Sequence, residues 1–102
     1  MSPQRKVIYK ITYPNGKIYV GKDLTDDINY YGSPSRELLE KDFPIELRKI
    51  FSITKEILWE IIEPSKGNSE IVNQKEIEYI LLYESNNPKK GYNLRPKYKN
   101  GK

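Results

Sequence analysis

The 102-residue sequence contains no cysteine and no histidine. Without cysteine, a disulfide framework and a thiolate zinc site are excluded. Without histidine, there is no imidazole for base catalysis or for a serine or cysteine triad. Long apolar runs are also missing, since no stretch approaches the ~20 residues of a membrane-spanning helix, and no signal peptide is recognisable. Any chemistry must therefore use tyrosine, lysine, arginine and carboxylates, and we expect an intracellular, cytoplasmic protein.

Acidic residues are fewer than basic ones: 14 Asp and Glu stand against 18 Lys and Arg, which leaves a net charge of +4. This balance favours an anionic partner, nucleic acid first, although many small domains are mildly basic without binding one. At this length we expect one domain over residues 1–102, because a second core has no room. Nine tyrosines dominate the aromatic residues, so the core relies on a side chain with a polar tip.

The N-terminal part of the chain predicts a β-hairpin. Two runs of alternating apolar and polar residues flank Pro14-Asn15-Gly16. A two-residue loop, Asn15-Gly16, would place Tyr9 and Tyr19 on opposite faces of the hairpin. A three-residue loop with its glycine in the left-handed bulge position places them on one face, with Tyr9 opposite Gly21. We favour the three-residue loop because proline suits its first central position.

Three helices are predicted after the hairpin. Ser35 is a candidate N-cap of the first, which Phe43-Pro44 interrupts before a short second helix over residues 45–50. The third and longest begins at a second candidate N-cap, Ser69, and ends at Glu84.

One more strand is predicted over residues 53–60, with Ile53 and Ile57 in period with Trp59. A polar, turn-rich loop over residues 22–34 separates the hairpin from the first helix. A basic tail over residues 94–102 ends the chain.

One carboxylate in the long helix stands where an apolar side chain is expected. At about 100° per residue, four apolar or aromatic residues lie within roughly 60° of Glu76: Val72, Tyr79, Ile80 and Tyr83. Burying a bare carboxylate is costly, so Glu76 must be paired, hydrogen-bonded or bound to a cation. An ion pair with Lys10 or Lys22 is one possibility, and a hard oxygen ligand for Mg²⁺ is the other.

Taken separately, Tyr9 and Tyr19 are typical sheet aromatics and Asn93 is a typical turn residue. Taken in order, they form a more specific pattern. Val-Ile-Tyr at residues 7–9 and Tyr-Val-Gly at 19–21 flank the turn, Glu76 follows in a helix, and Gly-Tyr-Asn at 91–93 follows that helix. This arrangement resembles the GIY-YIG nuclease family over nearly the whole chain.

The resemblance implies an α/β fold of the α+β type: a small three-stranded antiparallel sheet flanked by helices. It also implies hydrolysis of phosphodiester bonds with one divalent cation, Mg²⁺, for which Mn²⁺ is a substitute. On the matching positions, Tyr9, Tyr19 and Asn93 are catalytic or supporting residues, Gly21 closes the second motif and Glu76 binds the metal. With the three-residue loop, both tyrosines are expected to face Glu76.

Two positions depart from the family pattern. Val7 stands where glycine is usual, which keeps the strand period. Asn29 stands where family members often carry a catalytic arginine on the first helix, so we consider Lys22, Arg36 and Arg48 as replacements for its positive charge. The alternative is a catalytically impaired GIY-YIG-fold module that binds nucleic acid without cutting it. A protein-interaction domain is a third possibility.

The expected partner is DNA, with RNA not excluded, and no membrane. Five basic residues near the C-terminus are candidates to lie along phosphates, which gives affinity without reading sequence: Lys89, Lys90, Arg95, Lys97 and Lys99. Because no attached targeting domain is recognisable, target choice would come from the loop over residues 22–34, from a homodimer or from an accessory specificity protein.

Overall fold

Three strands and two helices make up the computed structural model, which describes residues 4–99 and confirms a small α+β fold. The elements, in chain order, are β1 (Gln4–Thr12), β2 (Ile18–Asp23), α1 (Arg36–Asp42), β3 (Thr54–Glu63) and α2 (Glu70–Tyr83). The strands form one antiparallel sheet in the order β2-β1-β3, so β1 is central. A single 3₁₀ turn, Ile45–Leu47, replaces the expected second helix. Among residues 4–99, none of the helices has the length and hydrophobicity needed to span a bilayer.

The hairpin between β1 and β2 has the three-residue loop. The backbone N–H of Tyr13 donates to the carbonyl of Lys17 at 2.9 Å, and Gly16 adopts a left-handed φ of +87°. Tyr9 is paired with Gly21, and Tyr19 with the residue two positions after Tyr9. The register that places Tyr9 and Tyr19 on one face is therefore confirmed, as the turn chemistry of the loop predicts.

Each face of the sheet carries an apolar layer, because successive side chains of a strand point to opposite sides. On one face, Leu38 and Leu39 of α1 pack against a buried, mostly aromatic cluster: Val7, Tyr9, Ile11, Tyr13, Tyr19, Phe43 and Tyr92. On the other face, α2 packs through Val72 and Ile80, which lie against Ile8 of β1 and Val20 of β2. Helix α2 and the two motif tyrosines are thus associated with opposite faces of the sheet.

Strand β3 departs from simple alternation. Ile8 is paired with Trp59 and Tyr9 with Ile57, so Leu58 is an extra residue that forms a β-bulge. The bulge places Ile57 on the face of Tyr9 and Trp59 on the face of α2. The expectation that Ile57 and Trp59 share a face is therefore wrong, because counting residues two by two does not detect an inserted one.

Both predicted N-caps are confirmed. The Ser35 hydroxyl accepts from the N–H of Leu38 at 3.3 Å, and the Ser69 hydroxyl accepts from the N–H of Val72 at 3.5 Å. Ser69 also donates to a carboxylate oxygen of Glu63 at 3.1 Å, which fixes the start of α2 against the end of β3. This anchor sets the position of Glu76 in the second turn of α2.

Candidate functional site

Two adjoining clefts lie beside the edge strand β2, and both include Tyr19 and Glu76. The first cleft, of about 470 Å³, also includes Ser33, Asn93 and Arg95. The second cleft, of about 340 Å³, contains the loop that leaves β2; it is lined by Lys22, Asp23, Leu24, Thr25 and Tyr30 besides the shared pair. A ligand in either cleft can therefore reach both the phenol and the carboxylate.

Strand order explains why Tyr19 meets Glu76 although α2 packs on the opposite face. Tyr19 belongs to the edge strand β2, so its ring reaches the clefts beyond the edge of the sheet. Tyr9 belongs to the central strand, is completely buried, and is absent from the described residues that line these clefts. The structure therefore brings Tyr19 to Glu76 in the clefts, whereas Tyr9 lies behind Tyr19, with its ring centre 6.3 Å from that of Tyr19.

The Tyr9 hydroxyl is buried and has no hydrogen-bond partner in the part of the chain that the structure describes. It fits between two glycines: a Cβ on Gly21 would lie 2.5 Å from the hydroxyl oxygen, and one on Gly32 would lie 2.3 Å from it. Burial, followed by the proximity of Tyr19 and Tyr30, raises the pKa of Tyr9 far above that of free tyrosine. At neutral pH the side chain is therefore a phenol with an unused proton.

The Tyr19 hydroxyl accepts a hydrogen bond of 3.1 Å from the backbone N–H of Ser33. Burial raises the pKa of Tyr19, and this hydrogen bond opposes the shift. Because a phenol donates one hydrogen bond as well as accepting, its own proton stays available to a ligand in the clefts. Gly32 makes the contact possible, since its left-handed φ of +78° turns the chain just before Ser33.

Glu76 is half-buried between Val72 and Ile80, as the helical stripe predicts. Burial raises the pKa of its carboxyl, while the charge and the backbone N–H of Lys22 lower it. Among residues 4–99, no lysine or arginine forms a salt bridge with Glu76. Lys10 pairs instead with Glu56 at 3.1 Å, and the Lys22 ammonium donates to the side-chain carbonyl of Asn73. The carboxylate is thus influenced by Lys22 without being neutralised.

Glu76 suits a hard divalent cation as a single protein ligand. Mg²⁺ is usually bound through one or two carboxylates, with water and substrate phosphates completing its coordination. Within the described residues 4–99, no group of three or more acidic side chains is arranged to hold a metal by itself. The residues present therefore fit an ion that has Glu76 as its protein ligand and takes its other ligands from water or a bound molecule.

Gly91, Tyr92 and Asn93 attach the chain after α2 to the free edge of β2. The Asn93 side chain accepts from the backbone N–H of Val20 and donates to its carbonyl, both at 2.8 Å. Gly91 is necessary because a Cβ there would lie 2.3 Å from the carbonyl oxygen of Ser85 and 2.6 Å from that of Ile18. Tyr92 is completely buried. The structure therefore places Asn93 at the site with its amide committed to positioning β2.

Asn93→Ala is expected to lower the free energy of unfolding by about 2–3 kcal/mol, because it leaves the buried N–H and carbonyl of Val20 without partners. Urea denaturation measures this loss. Asn29→Ala is the matched control, since Asn29 is exposed, and it is expected to change stability by less than about 0.5 kcal/mol. Equal losses in the two variants would contradict the assigned role of Asn93.

The two candidate arginines of the α1 region lie apart from this site. Arg36 pairs with Glu40 at 2.8 Å, and the Arg48 guanidinium donates to the carbonyl of Phe43 at 2.6 Å. Both line a separate cleft of about 240 Å³ that shares no described residue with the clefts of Glu76. Lys22 is the only one of the three proposed replacements that the structure brings to Glu76.

The basic residues near the C-terminus are divided between several places. Arg95 lines the first cleft together with Glu76 and Tyr19. Lys97 and Lys99 line a neighbouring cleft against Leu81 of α2. Lys90 pairs with Glu84 at 2.8 Å, and Lys89 is exposed. A role of these lysines along DNA stays a prediction, whereas Arg95 lies much closer to the site than its place in the tail suggests.

Lys55 is a site residue that sequence reasoning missed. Its ammonium lies 4.9 Å from the ring centre of Tyr9 and donates to the carbonyls of Tyr30 at 2.7 Å and Asp27 at 3.3 Å. It therefore fixes the loop that carries Gly32 against the sheet. The Tyr-Tyr-Gly-Ser sequence at 30–33 indicates a turn, but nothing local to it identifies a lysine of β3 as its anchor.

The arrangement combines a carboxylate suited to a cation, a phenol with a free proton and positive side chains around open clefts. Such a set is suited to binding and polarising a phosphate group. Comparisons with protein-family models, with curated proteins and with solved structures give no significant match for this chain.

Proposed function

We propose that this chain is a Mg²⁺-dependent endonuclease that hydrolyses phosphodiester bonds in DNA. The observation that carries the proposal is the meeting of Glu76 and Tyr19 at the border of two clefts, with the carboxylate free of salt bridges among residues 4–99. The order of motifs that resembles the GIY-YIG nucleases supports it. The net charge of +4 favours a polyanionic substrate.

In this mechanism Glu76 is the residue that holds Mg²⁺, and the bound ion supplies Lewis acidity at a phosphate oxygen. Tyr19 donates its free O–H to the phosphate, because Ser33 already occupies the acceptor side of the phenol. Lys22 adds a fixed positive charge in the second cleft. The oxygen of an attacking water forms the new bond to phosphorus as one of its protons passes to the surrounding water. The bond to the 3′ oxygen breaks, and the leaving oxygen takes up a proton from the surrounding water.

We assign Tyr9 to the attacking water, which its phenol positions by donating a hydrogen bond. If the ring served the core alone, phenylalanine would pack equally well and would not bury a hydroxyl that lacks a hydrogen-bond partner. The glycines that enclose it, Gly21 and Gly32, are each followed by a residue that lines a cleft, Lys22 and Ser33.

The proposal is tested by incubating the purified chain with supercoiled plasmid in Mg²⁺ and, as the matched control, in EDTA. Nicked and linear products are expected with Mg²⁺ alone. Retarded migration of the plasmid without any nicking would instead favour the second candidate, a module that binds nucleic acid but does not cut it. The observation that favours this second candidate is the position of Arg36 and Arg48, which lie away from Glu76.

Tyr9→Phe is expected to raise stability and lower activity at the same time. Removing a buried hydroxyl without a partner should increase the free energy of unfolding by about 1 kcal/mol. Loss of the hydroxyl that positions the attacking water should slow cleavage about 10²-fold. Tyr98→Phe is a control, because that side chain lies in the neighbouring cleft with Lys97. A Tyr9→Phe variant that cleaves at the wild-type rate would show that Tyr9 is only a core aromatic.

A further inference from the structure

Arg95 approaches Glu76 from the C-terminal segment, although nothing in its sequence position indicates this. It lines the first cleft together with Glu76, Tyr19 and Ser33. The same cleft contains the Tyr19 hydroxyl that accepts from Ser33. A phosphate bound in this first cleft would therefore be bordered by both Glu76 and Arg95.

The backbone on both sides of Arg95 is anchored. Two residues before it, the Asn93 side chain makes both of its hydrogen bonds to Val20 of β2. One residue after it, the carbonyl of Pro96 accepts from the side-chain amide of Asn86 at 2.8 Å. Arg95 is therefore presented from a fixed stretch of chain that spans the gap between β2 and the end of α2.

Unlike the guanidinium groups of the other described arginines, that of Arg95 is not engaged by a carboxylate or a backbone carbonyl among residues 4–99. Arg5 pairs with Asp26 and Glu60, Arg36 pairs with Glu40, and Arg48 donates to a backbone carbonyl. Among residues 4–99, Arg95 forms no salt bridge, and its side chain is exposed to the cleft. An arginine is the side chain best suited to a phosphate, because its planar fork donates two parallel hydrogen bonds.

We propose that Arg95 contacts the scissile phosphate and stabilises the negative charge that develops on it in the transition state. The inference rests on the proposed nuclease function and assigns to the C-terminal segment the cation for which the sequence offered Lys22, Arg36 and Arg48. Arg95 donates to two non-bridging oxygens of the phosphate from the first cleft, whereas Lys22 lines the second. Lys97 and Lys99, in the neighbouring cleft, serve only as general contacts to the DNA backbone.

The test compares Arg95→Ala and Arg95→Lys with Lys97→Ala, a matched loss of one positive charge from the same segment. Single-turnover cleavage of a short DNA duplex with Mg²⁺ gives the rate, and gel retardation of the same duplex with Ca²⁺ in place of Mg²⁺ gives the affinity. Arg95→Ala is expected to slow cleavage about 10²-fold, as when one preorganised donor to a transition state is removed. Its affinity should fall no more than that of Lys97→Ala. Arg95→Lys should recover only part of the rate, because an ammonium cannot donate as a fork.

The outcomes distinguish a failure of the role assigned to Arg95 from a failure of the proposed nuclease function. Equal rates and affinities for Arg95→Ala and Lys97→Ala, with a wild-type chain that cleaves, overturn the role of Arg95 and leave the nuclease proposal in place. A loss of affinity in Arg95→Ala that accounts for its whole loss of rate also overturns that role. A wild-type chain that retards the duplex with Ca²⁺ but never cleaves it with Mg²⁺ overturns both proposals.

Discussion

Glu76→Gln is expected to abolish Mg²⁺-dependent cleavage without weakening the fold. Glutamine keeps the size and most of the packing of glutamate but has no charge with which to hold a divalent cation. We expect the cleavage rate to fall by about 10³-fold or more, at the upper end of the losses seen when a single electrostatic contact to a transition state is removed. Plasmid nicking and single-turnover cleavage of a duplex both measure this loss, and binding of the duplex without Mg²⁺ should persist.

The stability of the same variant has a definite dependence on pH. Burial raises the pKa of the Glu76 carboxyl above its value in the unfolded chain, so the folded protein holds this proton more tightly. The contribution of the group to stability is therefore complete below the unfolded pKa and is lost as the pH rises through the folded pKa. Glutamine does not titrate. The difference in free energy of unfolding, Glu76→Gln minus wild type, should increase over this acidic range and then remain constant up to neutral pH.

Glu78→Gln is the matched control, two residues along the same helix. Glu78 is exposed and pairs with Lys75 at 3.3 Å, away from the clefts. Its replacement should leave the cleavage rate unchanged. A Glu76→Gln chain that cleaves like the wild type, or a Glu78→Gln chain that loses as much activity, would contradict the assignment of Glu76.

Several parts of this fold follow from rules that act over a few residues. Pro14-Asn15-Gly16 specifies its loop because proline and a left-handed glycine each suit one position of it. The N-caps Ser35 and Ser69 are recognised by a hydroxyl placed just before an apolar periodic run. Glu76 is noticed because a helix repeats every 3.6 residues, so one charge within an apolar stripe is conspicuous. In each case the residues that carry the signal are also the residues that make the contact.

Other parts depend on contacts between distant segments and have no local signal. The different surroundings of Tyr9 and Tyr19 follow from strand order, which makes β1 central and β2 an edge. Lys55 reaches Tyr9 because β3 pairs beside β1, with a bulge whose inserted residue disturbs the expected period. Arg95 joins the site because the chain after α2 returns along β2, where Gly91 forms a parallel bridge with Ile18. No periodicity in the sequence encodes these relations.

The edge strand β2 connects these local and distant features into one site. On one side it pairs with β1, which sets the ring of Tyr19 beside that of Tyr9. On its other side, the backbone groups of Val20 are bound by Asn93, which brings the segment of Arg95 to the same edge. Neither α2 nor the C-terminal segment alone surrounds a phosphate-sized space. The clefts exist because both flank the edge where Tyr19 lies.

Gly32→Ala is expected to damage both the fold and the site. At a φ of +78°, any residue with a Cβ is strained, and the added methyl carbon would lie 2.3 Å from the Tyr9 hydroxyl and 2.4 Å from the ring of Tyr19. Left-handed backbone costs about 1–2 kcal/mol for a residue other than glycine, and overpacking a buried position costs about 1–3 kcal/mol. We therefore expect the free energy of unfolding to fall by about 3 kcal/mol. Because both tyrosines must move, cleavage should slow by about 10²-fold.

Gly67→Ala separates the contribution of the backbone from that of the tyrosines. Gly67 has nearly the same conformation, with a φ of +86°, but nothing lies within 4 Å of a Cβ built on it. This control should lose only about 1 kcal/mol, from backbone strain alone, and should cleave normally. Urea denaturation of both variants gives the difference between them, which measures the contact with the tyrosine rings.

The double variant Gly32→Ala with Tyr9→Phe tests whether that contact lies at the Tyr9 hydroxyl. Removing the hydroxyl eliminates the closest of the three contacts, while the contacts with the Tyr19 ring and hydroxyl remain. The double variant should therefore be more stable than the sum of the two single changes predicts, by about 1 kcal/mol of coupling. Additive effects would mean that the loop accommodates the methyl group without pressing on Tyr9, and that Gly32 is required for its backbone conformation alone. Positive coupling would mean that the absent side chain of Gly32 is what leaves space for the Tyr9 hydroxyl behind the cleft.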